Sequence, residues 1–377
     1  MVAQSTPFNL GCSHPNSTAG IRGPAKRIAL LILAHKLVFA ILLFLLPHLF
    51  PMMFPSESAF RGRFATWDVE NYLDVAAHGY EAGSGRCAFY PLWPICIHIG
   101  SWLIGGNMVV SAWLLANAFS LVGMLAFHRL VWQEQGVRVA NNATLLLLLY
   151  PGSVFLFVPY SESLFLLLAV ICLLGLQQGC AWVIATSAFL LPMCRAIGIF
   201  ILPVIALGLL LTRAQVKRYW VCLMPVLGYA CYFGIMYFYT NNPFEGFVVQ
   251  SQYPAQPSIG KIFDLSRFIH TLAQFSWSHD YLHSFMDRIV FITFLISLFW
   301  ILQIDVKYYA YALLTGLVPA MSSDLMSYTR YAVLVFPLFI VWARFGRQTR
   351  TLPLLFMLFY GVQVLLLLLA LSNHWAG

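Results

Sequence analysis

Charged residues are scarce in this chain of 377 residues, and their scarcity excludes most soluble folds. Asp, Glu, Lys and Arg together make up 9% of the sequence, whereas 61% of the residues are hydrophobic. A soluble domain carries about 25% charged residues, so this sequence has too little charge to cover a water-facing globule. Intrinsic disorder requires low hydrophobicity and is excluded as well. The composition therefore predicts an integral membrane protein, polytopic and all-α.

Several motifs that would announce a cofactor are absent. The eight cysteines include no CxxC pair, the ten histidines show no HExxH spacing, and no glycine-rich nucleotide loop occurs. We therefore predict no metal site and no cofactor, although acidic side chains outside the membrane could coordinate a divalent ion. The net charge of +8 reflects basic loops that set membrane topology and favour anionic lipid headgroups. It does not indicate a nucleic-acid partner.

Long apolar runs predict about eleven transmembrane helices, since each crossing needs about 20 mostly apolar residues. Short, nearly continuous spans meet around Pro159 and Arg195, and such broken helices are tolerated where they line a protein cavity. Residues 90–104 are apolar but short, and we predict a re-entrant or interfacial segment. Residues 1–27 are predicted to be a cytoplasmic tail without a cleavable signal peptide, followed by a single membrane domain, 28–377. The predicted spans are 28–47, 108–128, 142–157, 161–177, 180–194, 196–212, 219–239, 288–303, 307–322, 331–345 and 352–372.

The two signs of charge separate onto opposite faces of this topology. Loops rich in Lys and Arg mark the inner face, which places the N-terminus inside. Only Glu134 and Asp305 of the 13 acids fall on that face. The remaining acids share the outer face with eight basic residues, a mixture that indicates a site. They are Glu57, Asp68, Glu70, Asp74, Glu81, Glu162, Glu245, Asp264, Asp280, Asp287 and Asp324.

Two long outer loops, 48–106 and 240–287, are candidates for function, because long ordered loops in a compact protein usually carry it. In the first loop, Val69, Leu73, Ala76 and Tyr80 recur at helical spacing, which predicts an interfacial amphipathic helix. Thr66 would cap it and Gly79 would end it. Asp68 lies in its first turn, where the helix dipole favours a carboxylate. A helix-capping acid is the alternative interpretation.

Other outer segments mix aromatic and polar residues, and each has a structural alternative. Phe89-Tyr90-Pro91-Leu92-Trp93-Pro94 forms a rigid apolar wall or an aromatic belt at the membrane surface. Glu162, in the cluster Tyr160-Ser161-Glu162, belongs to a polar site or snorkels. Arg195 and Arg330 lie at membrane boundaries and suit phosphate, or pair with Glu162 or Asp324. In the second loop, Asn242 and Gln250 suit a sugar, or belong to a lid.

These stretches together resemble the PIG-V family, whose eukaryotic members add the second mannose to glycosylphosphatidylinositol precursors. The family belongs to the GT-C membrane glycosyltransferases. The resemblance covers roughly residues 28–345, and the residues that carry it occur in family order. They are Trp67-Asp68, His78-Gly79-Tyr80, Phe89-Tyr90-Pro91-Leu92-Trp93-Pro94, Pro159-Tyr160-Ser161-Glu162-Ser163-Leu164-Phe165, Arg195 with Gly198, Asn242-Pro243-Phe244, and Arg330-Tyr331 with Phe336-Pro337.

The resemblance implies an inverting mannosyltransferase of GT-C-like fold. Its donor would be a polyprenyl-phosphate sugar and its acceptor a lipid-linked or cell-envelope glycan, with the active site on the outer face of a bacterial inner membrane. By analogy, Asp68 matches the first-loop aspartate that GT-C enzymes use at the catalytic centre and is the predicted base, and Arg195 and Arg330 are predicted to bind phosphate. A lipid-linked sugar flippase or transporter is the main alternative, and a non-catalytic subunit is another. The predicted substrate-binding residues are Trp67, Asn71, His78, Tyr80, Tyr90, Tyr160, Ser161, Glu162, Asn242 and Gln250.

Overall fold

The protein is a bundle of helices, seen here in a computed structural model that describes residues 22–50, 67–274, 276 and 284–372. No β-strand forms within those ranges, which confirms the all-α prediction. The helices are α1 (Arg22–Leu49), α2 (Asp68–His78), α3 (Leu92–Trp102), α4 (Met108–Gln135), α5 (Val137–Leu149), α6 (Glu162–Gln178), α7 (Ala181–Cys194), α8 (Ile201–Leu211), α9 (Leu223–Thr240), α10 (Glu245–Val248), α11 (Leu265–Ala273), α12 (Phe285–Ile304), α13 (Val306–Ser322), α14 (Tyr328–Ala332), α15 (Pro337–Thr349) and α16 (Leu352–Leu371).

Every predicted span overlaps a helix, although the helices differ in length. Five helical segments of the described chain are long and apolar enough to cross a membrane: Ala25–Leu49, Met108–Gln135, Val216–Thr240, Phe285–Ile304 and Leu352–Leu371. Five other spans overlap shorter apolar helices, and the span predicted for 307–322 coincides with α13. The count of eleven crossings therefore stays a prediction. The first helix begins at Arg22, ahead of the predicted boundary at residue 28, and Pro24 lies in its first turn, where proline is tolerated.

Two of the short helices, α5 and α7, end at a residue whose backbone is not helical. The span predicted for 142–157 is broken at Tyr150, which has φ −57° and ψ 137° because Pro151 follows it. A 3₁₀ helix, Pro151–Leu156, continues the chain. Helix α7 likewise ends before Arg195, which is extended at φ −157° and ψ 151°. The second break leaves Arg195 between α7 and the next helical segment.

The core of the bundle is formed by helices that pack on one another and by one buried segment. Helix α4 packs on α5 and α6, α6 packs on α7, and α7 packs on α9. Helix α12 packs on α13, α14 and α15. The chain between α14 and α15 is fully buried, including Val333, Leu334, Val335 and Phe336. Helix α14, which carries Arg330, is therefore held at the core of the molecule.

The predicted outer loops contain several short helices. Helix α3 lies within the predicted segment 90–104. Trp93 in its first turn is fully buried and donates a hydrogen bond to the Pro159 carbonyl at 3.2 Å. This tryptophan is thus part of the core and does not belong to an aromatic belt. Loop 240–287 contains α10, α11 and two 3₁₀ helices, Val249–Gln252 and Gly260–Phe263.

Candidate active site

Helix α2 positions Asp68, the predicted catalytic base. Val69, Leu73 and Ala76 are buried along one side of the helix, as their spacing predicts. Gly79 ends the helix with φ +77°, a conformation that glycine adopts readily. Thr66, the predicted cap, lies outside the described residues. Trp67 takes the preceding position with φ 50°, an uncommon conformation for a bulky residue.

Asp68 forms an ion pair with Arg330, a residue 262 positions away in the chain. Nη1 of Arg330 lies 2.6 Å from Oδ2 of Asp68. The Asp68 side chain is 29% exposed, whereas that of Arg330 is 6% exposed. Within the described chain, Oδ1 of Asp68 has no hydrogen-bond partner. The carboxylate is therefore fixed on one side and open on the other.

Glu162 joins both arginines from the buried side. Its carboxylate is fully buried at the start of α6, with Nη1 of Arg195 at 2.8 Å from Oε1 and Nε of Arg330 donating to the same oxygen. The structural alternative for Arg195, pairing with Glu162, is thus the contact observed. Asp324 pairs instead with Lys261 and Arg267. Asp68, Glu162, Arg195 and Arg330 therefore form a charged cluster. Its two carboxylates balance its two guanidinium groups, as buried ions in a membrane protein must.

Neutral side chains complete the wall of this cluster. Oγ of Ser161 accepts a hydrogen bond from Arg195 at 3.0 Å and lies 2.8 Å from the Tyr72 hydroxyl. Burial raises the pKa of Tyr72, so its hydroxyl stays neutral. The guanidinium of Arg330 lies 4.3 Å from the centre of the Tyr160 ring, a cation–π contact. The structure thus brings together Asp68, Tyr72, Tyr160, Ser161, Glu162, Arg195 and Arg330.

Three other predicted substrate-binding residues in the first loop contact different partners. His78 lies 2.8 Å from Asp74 on the exposed side of α2. Tyr80 donates to the Phe89 carbonyl at 2.7 Å, and the Tyr90 hydroxyl lies 3.0 Å from that of Tyr229. These contacts support the loop, and a role in substrate binding stays a prediction for all three.

The remaining predicted residues lie at the helix start and in the second loop. Asn71 donates to the Trp67 carbonyl at 3.4 Å, one turn from Asp68. Asn242 donates to Glu245 at 2.9 Å, and Gln250 donates to the Gly246 carbonyl at 3.3 Å. None of these contacts joins the residue directly to the charged cluster, so their substrate contacts also stay predictions.

Tyr253 links the second loop to the site, and its position was not foreseen from the sequence. Its hydroxyl donates to the Gly85 carbonyl at 2.9 Å, and its ring lies 6.2 Å from that of Phe89. Burial, followed by the charge of Asp68, raises the pKa of Tyr253. The only signal in the sequence was its place among amides and aromatics, which many loops share.

Metal-ligating groups do not cluster in the described part of the chain, where no set of three or more His, Cys, Asp and Glu residues could hold an ion. The charged cluster around Asp68 offers what acyl- or glycosyl-group chemistry requires. It holds an accessible carboxylate beside fixed cations at a partly dry site, which is an arrangement suited to deprotonating a hydroxyl while stabilising a developing anion.

A sequence profile of the family described as mannosyltransferase (PIG-V) matches residues 45–239, just over half of the chain. The chain belongs to the PIG-V mannosyltransferase family. The matched range includes Asp68, Glu162 and Arg195 of the charged cluster. Arg330 lies beyond it, so the fold brings to the family's motifs a residue from outside the matched range.

Curated relatives of this family align with part of the chain. The GPI alpha-1,6-mannosyltransferase 2 of Rattus norvegicus is 32% identical over 148 residues, which cover 35% of this chain and 30% of the relative. The Homo sapiens protein of the same name is 30% identical over 136 residues, which cover 32% of this chain and 26% of the relative. The alignments therefore span less than a third of the relatives' own length.

Solved structures of similar fold are archaeal oligosaccharyltransferases. The apo form from Archaeoglobus fulgidus superposes with a TM-score of 0.55 and 10% identity, covering 96% of this chain and 57% of that one. AglB from the same organism, in complex with an inhibitory peptide and a dolichol-phosphate, gives a TM-score of 0.51, 10% identity and coverage of 92% and 56%. At this identity the likeness concerns the fold, and it confirms the predicted GT-C-like architecture of an integral membrane protein.

Proposed function

We propose that the protein is an inverting mannosyltransferase that moves a sugar from a polyprenyl-phosphate donor to a hydroxyl of a lipid-linked or cell-envelope acceptor. The active site would face the extracytoplasmic side. The observation that carries the proposal is the pairing of Asp68 with Arg330 at 2.6 Å. It places a partly open carboxylate and a largely buried cation in one site, as glycosyl transfer from a lipid phosphate requires.

Asp68 acts as the general base in this proposal. Oδ2 is held by Arg330, which leaves Oδ1 to accept the proton of the attacking sugar hydroxyl. A base must lie within hydrogen-bond reach of the proton it takes, and the position of Asp68 at the first residue of α2 leaves its carboxylate accessible. Its negative charge would also stabilise the oxocarbenium-like character of the sugar in the transition state.

The two arginines stabilise the departing lipid phosphate. Among the described residues, Arg330 engages carboxylates through Nε and Nη1, so the N–H groups of Nη2 are left for phosphate oxygens. Arg195 uses Nη1 for Glu162 and Ser161. Charges fixed in advance need no reorganisation when negative charge develops on the leaving group. Glu162 keeps both arginines in place.

Glu162 has a further role toward the acceptor. Its Oε2 is buried and has no hydrogen-bond partner among the described residues. A buried carboxylate oxygen is costly to leave unpaired, and a substrate hydroxyl at this position would satisfy it. We infer that Oε2 orients the acceptor sugar, while Asp68 takes the proton.

The proposal is tested by adding polyprenyl-phosphate mannose and candidate glycan acceptors to the purified protein. Sugar should be transferred, and Asp68→Asn should lower kcat about 10²–10⁴-fold, the usual contribution of a general base. The matched control is Asp74→Asn on the same helix, whose partners are His78 and Arg86, and it should retain activity.

Two outcomes would contradict parts of the proposal. A fully active Asp68→Asn variant would remove the base assignment. Translocation of the lipid-linked sugar across liposomes without any transfer would favour a flippase, the alternative motivated by arginine and glutamate residues at membrane depth.

A further inference from the structure

Asp287 is a buried carboxylate outside the charged cluster, and its partner lies next to the cluster in the chain. It is 1% exposed in the first turn of α12. Its Oδ1 accepts a hydrogen bond from the backbone N–H of Thr329 at 2.7 Å. Asp287 therefore holds the peptide group between Tyr328 and Thr329, one residue before Arg330.

The other side of Thr329 rests on Gly152, in the 3₁₀ helix Pro151–Leu156. A Cβ atom at Gly152 would lie 2.2 Å from the Thr329 carbonyl oxygen and 2.9 Å from its carbonyl carbon. Only glycine allows the two backbones to approach this closely. The Thr329 backbone is thus held by a hydrogen bond on its N–H and by direct contact at its carbonyl group.

Helix α14 depends on such contacts for its orientation. It has only five residues and follows Ser327, whose φ is 58°, so its own hydrogen bonds contribute little to fixing it. The Tyr328 ring is fully buried, with its centre 5.2 Å from the Phe291 ring of α12. Helix α12 therefore anchors both residues that precede Arg330.

We propose that Asp287 is a positioning residue, which acts through the Thr329 peptide to aim the Arg330 guanidinium at Asp68 and at the leaving phosphate. The inference rests on the proposed function, because it assigns Arg330 a role in the transition state. Asp287 itself contacts neither Asp68 nor the substrate. Its removal would let α14 shift and leave Arg330 charged, buried and misaligned.

Kinetics of two substitutions separate the positioning role from a general role in folding. Asp287→Asn keeps an oxygen that can accept from the Thr329 N–H, and we expect kcat within about threefold of wild type. Asp287→Leu removes the acceptor, and we expect kcat to fall about ten- to hundredfold with little change in the KM of the donor, because small misplacements of a catalytic group have effects of this size.

Ser297→Ala is the matched control on the same helix. Ser297 is 3% exposed and accepts a hydrogen bond from Nε1 of Trp342 at 3.0 Å, further along α12 from the site. This variant loses a buried hydrogen bond without touching α14, and kcat should stay at the wild-type value. An equal loss of kcat in Ser297→Ala and Asp287→Leu would overturn the proposal.

A double-mutant cycle with Arg330→Lys tests whether Asp287 acts through Arg330. If it does, Asp287→Leu should lower kcat by less than about threefold in the Arg330→Lys background, since coupled residues are strongly non-additive. Fully additive losses would overturn the proposal. Asp287→Ala replaces Asp287→Leu in the cycle if the leucine variant does not fold.

Backbone amide exchange of Thr329 separates this inference from the proposed function, because it requires no activity. The amide should exchange slowly in the wild type and in Asp287→Asn, and at least about tenfold faster in Asp287→Leu, which lacks the acceptor. Slow exchange in Asp287→Leu would overturn the positioning role even if the enzyme is active. An inactive wild type with the expected exchange pattern would instead contradict the proposed function.

Discussion

Glu162 is the residue on which both arginines of the site depend. It is fully buried and lies 2.8 Å from Arg195 while also accepting from Nε of Arg330. Removing one partner of a buried ion pair leaves an uncompensated charge. We therefore expect Glu162→Gln to lower the free energy of unfolding by about 3–5 kcal/mol, measured by denaturant unfolding in detergent.

Glu81→Gln is the control for Glu162→Gln. Glu81 also pairs with an arginine, Arg86 at 3.1 Å, but its side chain is 72% exposed. Water screens such a pair, so the free energy of unfolding should change by less than about 1 kcal/mol. Equal effects of the two substitutions would show that Glu162 does not hold the site together.

Arg330 is the residue whose shape, as well as charge, the site requires. Its guanidinium contacts Asp68 and Glu162 through different nitrogen atoms, and a lysine ammonium cannot reproduce this fork. We expect Arg330→Lys to lower kcat about 10²–10³-fold, the range seen when one preorganised donor is lost. The measurement is kcat for sugar transfer at saturating donor and acceptor.

Arg267→Lys is the matched control for Arg330→Lys. Arg267 also pairs with a carboxylate, Asp324, and donates to the Met321 carbonyl at 3.1 Å, but it lies outside the charged cluster. Its replacement should leave kcat within about threefold of wild type. An unchanged kcat in Arg330→Lys would remove the proposed role in stabilising the leaving phosphate.

For individual residues, the sequence indicates which side chains belong to the site but not which of them contact one another. Rare charges in an apolar chain drew notice to Asp68, Glu162, Arg195 and Arg330, and the structure brings all four together. No spacing encodes which arginine meets which acid, because the partners lie up to 262 positions apart. No pattern in the sequence marks Asp287 as a support, because its partner is a backbone N–H, which any residue except proline supplies.

Among the structural elements, the 3₁₀ helix Pro151–Leu156 supports α14 through Gly152. We expect Gly152→Ala to lower both the melting temperature and kcat, since its Cβ would lie 2.2 Å from a backbone oxygen that cannot move freely. The measurements are thermal unfolding in detergent and kcat for transfer. Gly152 is not in the left-handed region, so the close approach, and not its backbone conformation, accounts for the effect.

Gly361→Ala in helix α16 is the matched control for Gly152→Ala. A Cβ atom there would meet nothing within 4 Å, and alanine is the better helix former by about 1 kcal/mol. The melting temperature should stay unchanged or rise, with kcat unaltered. A Gly152→Ala variant as stable and active as Gly361→Ala would mean that α14 can shift without consequence.

Helices were more predictable than the segments between them. Each apolar run predicted to span the membrane overlaps a helix, because lipid forces the backbone of such runs into helices. The break at Tyr150 was missed even though Pro151 disfavours a helix there, since hydropathy continues through it. The short helices in loop 240–287 were also missed. Helix α10 and the two 3₁₀ helices have four residues each, too few to show a period. Helix α11 does repeat Leu265, Phe268 and Leu272 at helical spacing, a pattern that was not used. The pair between Lys261 and Asp324 is one of the tertiary contacts of this loop.

In the whole molecule, the polar residues predicted on the inner face and those predicted on the outer face form separate sets of contacts, as the predicted topology requires. Glu134, at the end of α4, accepts hydrogen bonds from Tyr308 at 2.7 Å and from Gln177 at 3.4 Å. These residues join loops predicted to be cytoplasmic. The charged cluster with Asp68 joins only segments predicted to be outside. Which end faces the cytoplasm is a prediction from the basic loops.

Two glycines offer a matched test of that orientation. Gly83 lies in the first outer loop and Gly136 in a predicted inner loop; their φ angles are +76° and +80°, and a Cβ at either would meet nothing within 4 Å. Gly83→Cys and Gly136→Cys therefore carry the same backbone strain and the same freedom of the new side chain. The positive-inside rule predicts that, in sealed right-side-out vesicles, a membrane-impermeant maleimide labels Gly83→Cys from the outside. It should label Gly136→Cys only after permeabilisation.

Labelling of the native cysteines in the wild-type chain is the background of this experiment. Cys87, the described native cysteine nearest in sequence to Gly83, is fully buried. Labelling of Gly136→Cys but not Gly83→Cys from the outside would invert the topology and place Asp68 and Arg330 on the cytoplasmic face. The proposed chemistry of the cluster would survive that outcome, because it depends on local contacts. The extracytoplasmic acceptor would not, because the acceptor must be on the face where the Asp68 carboxylate is exposed.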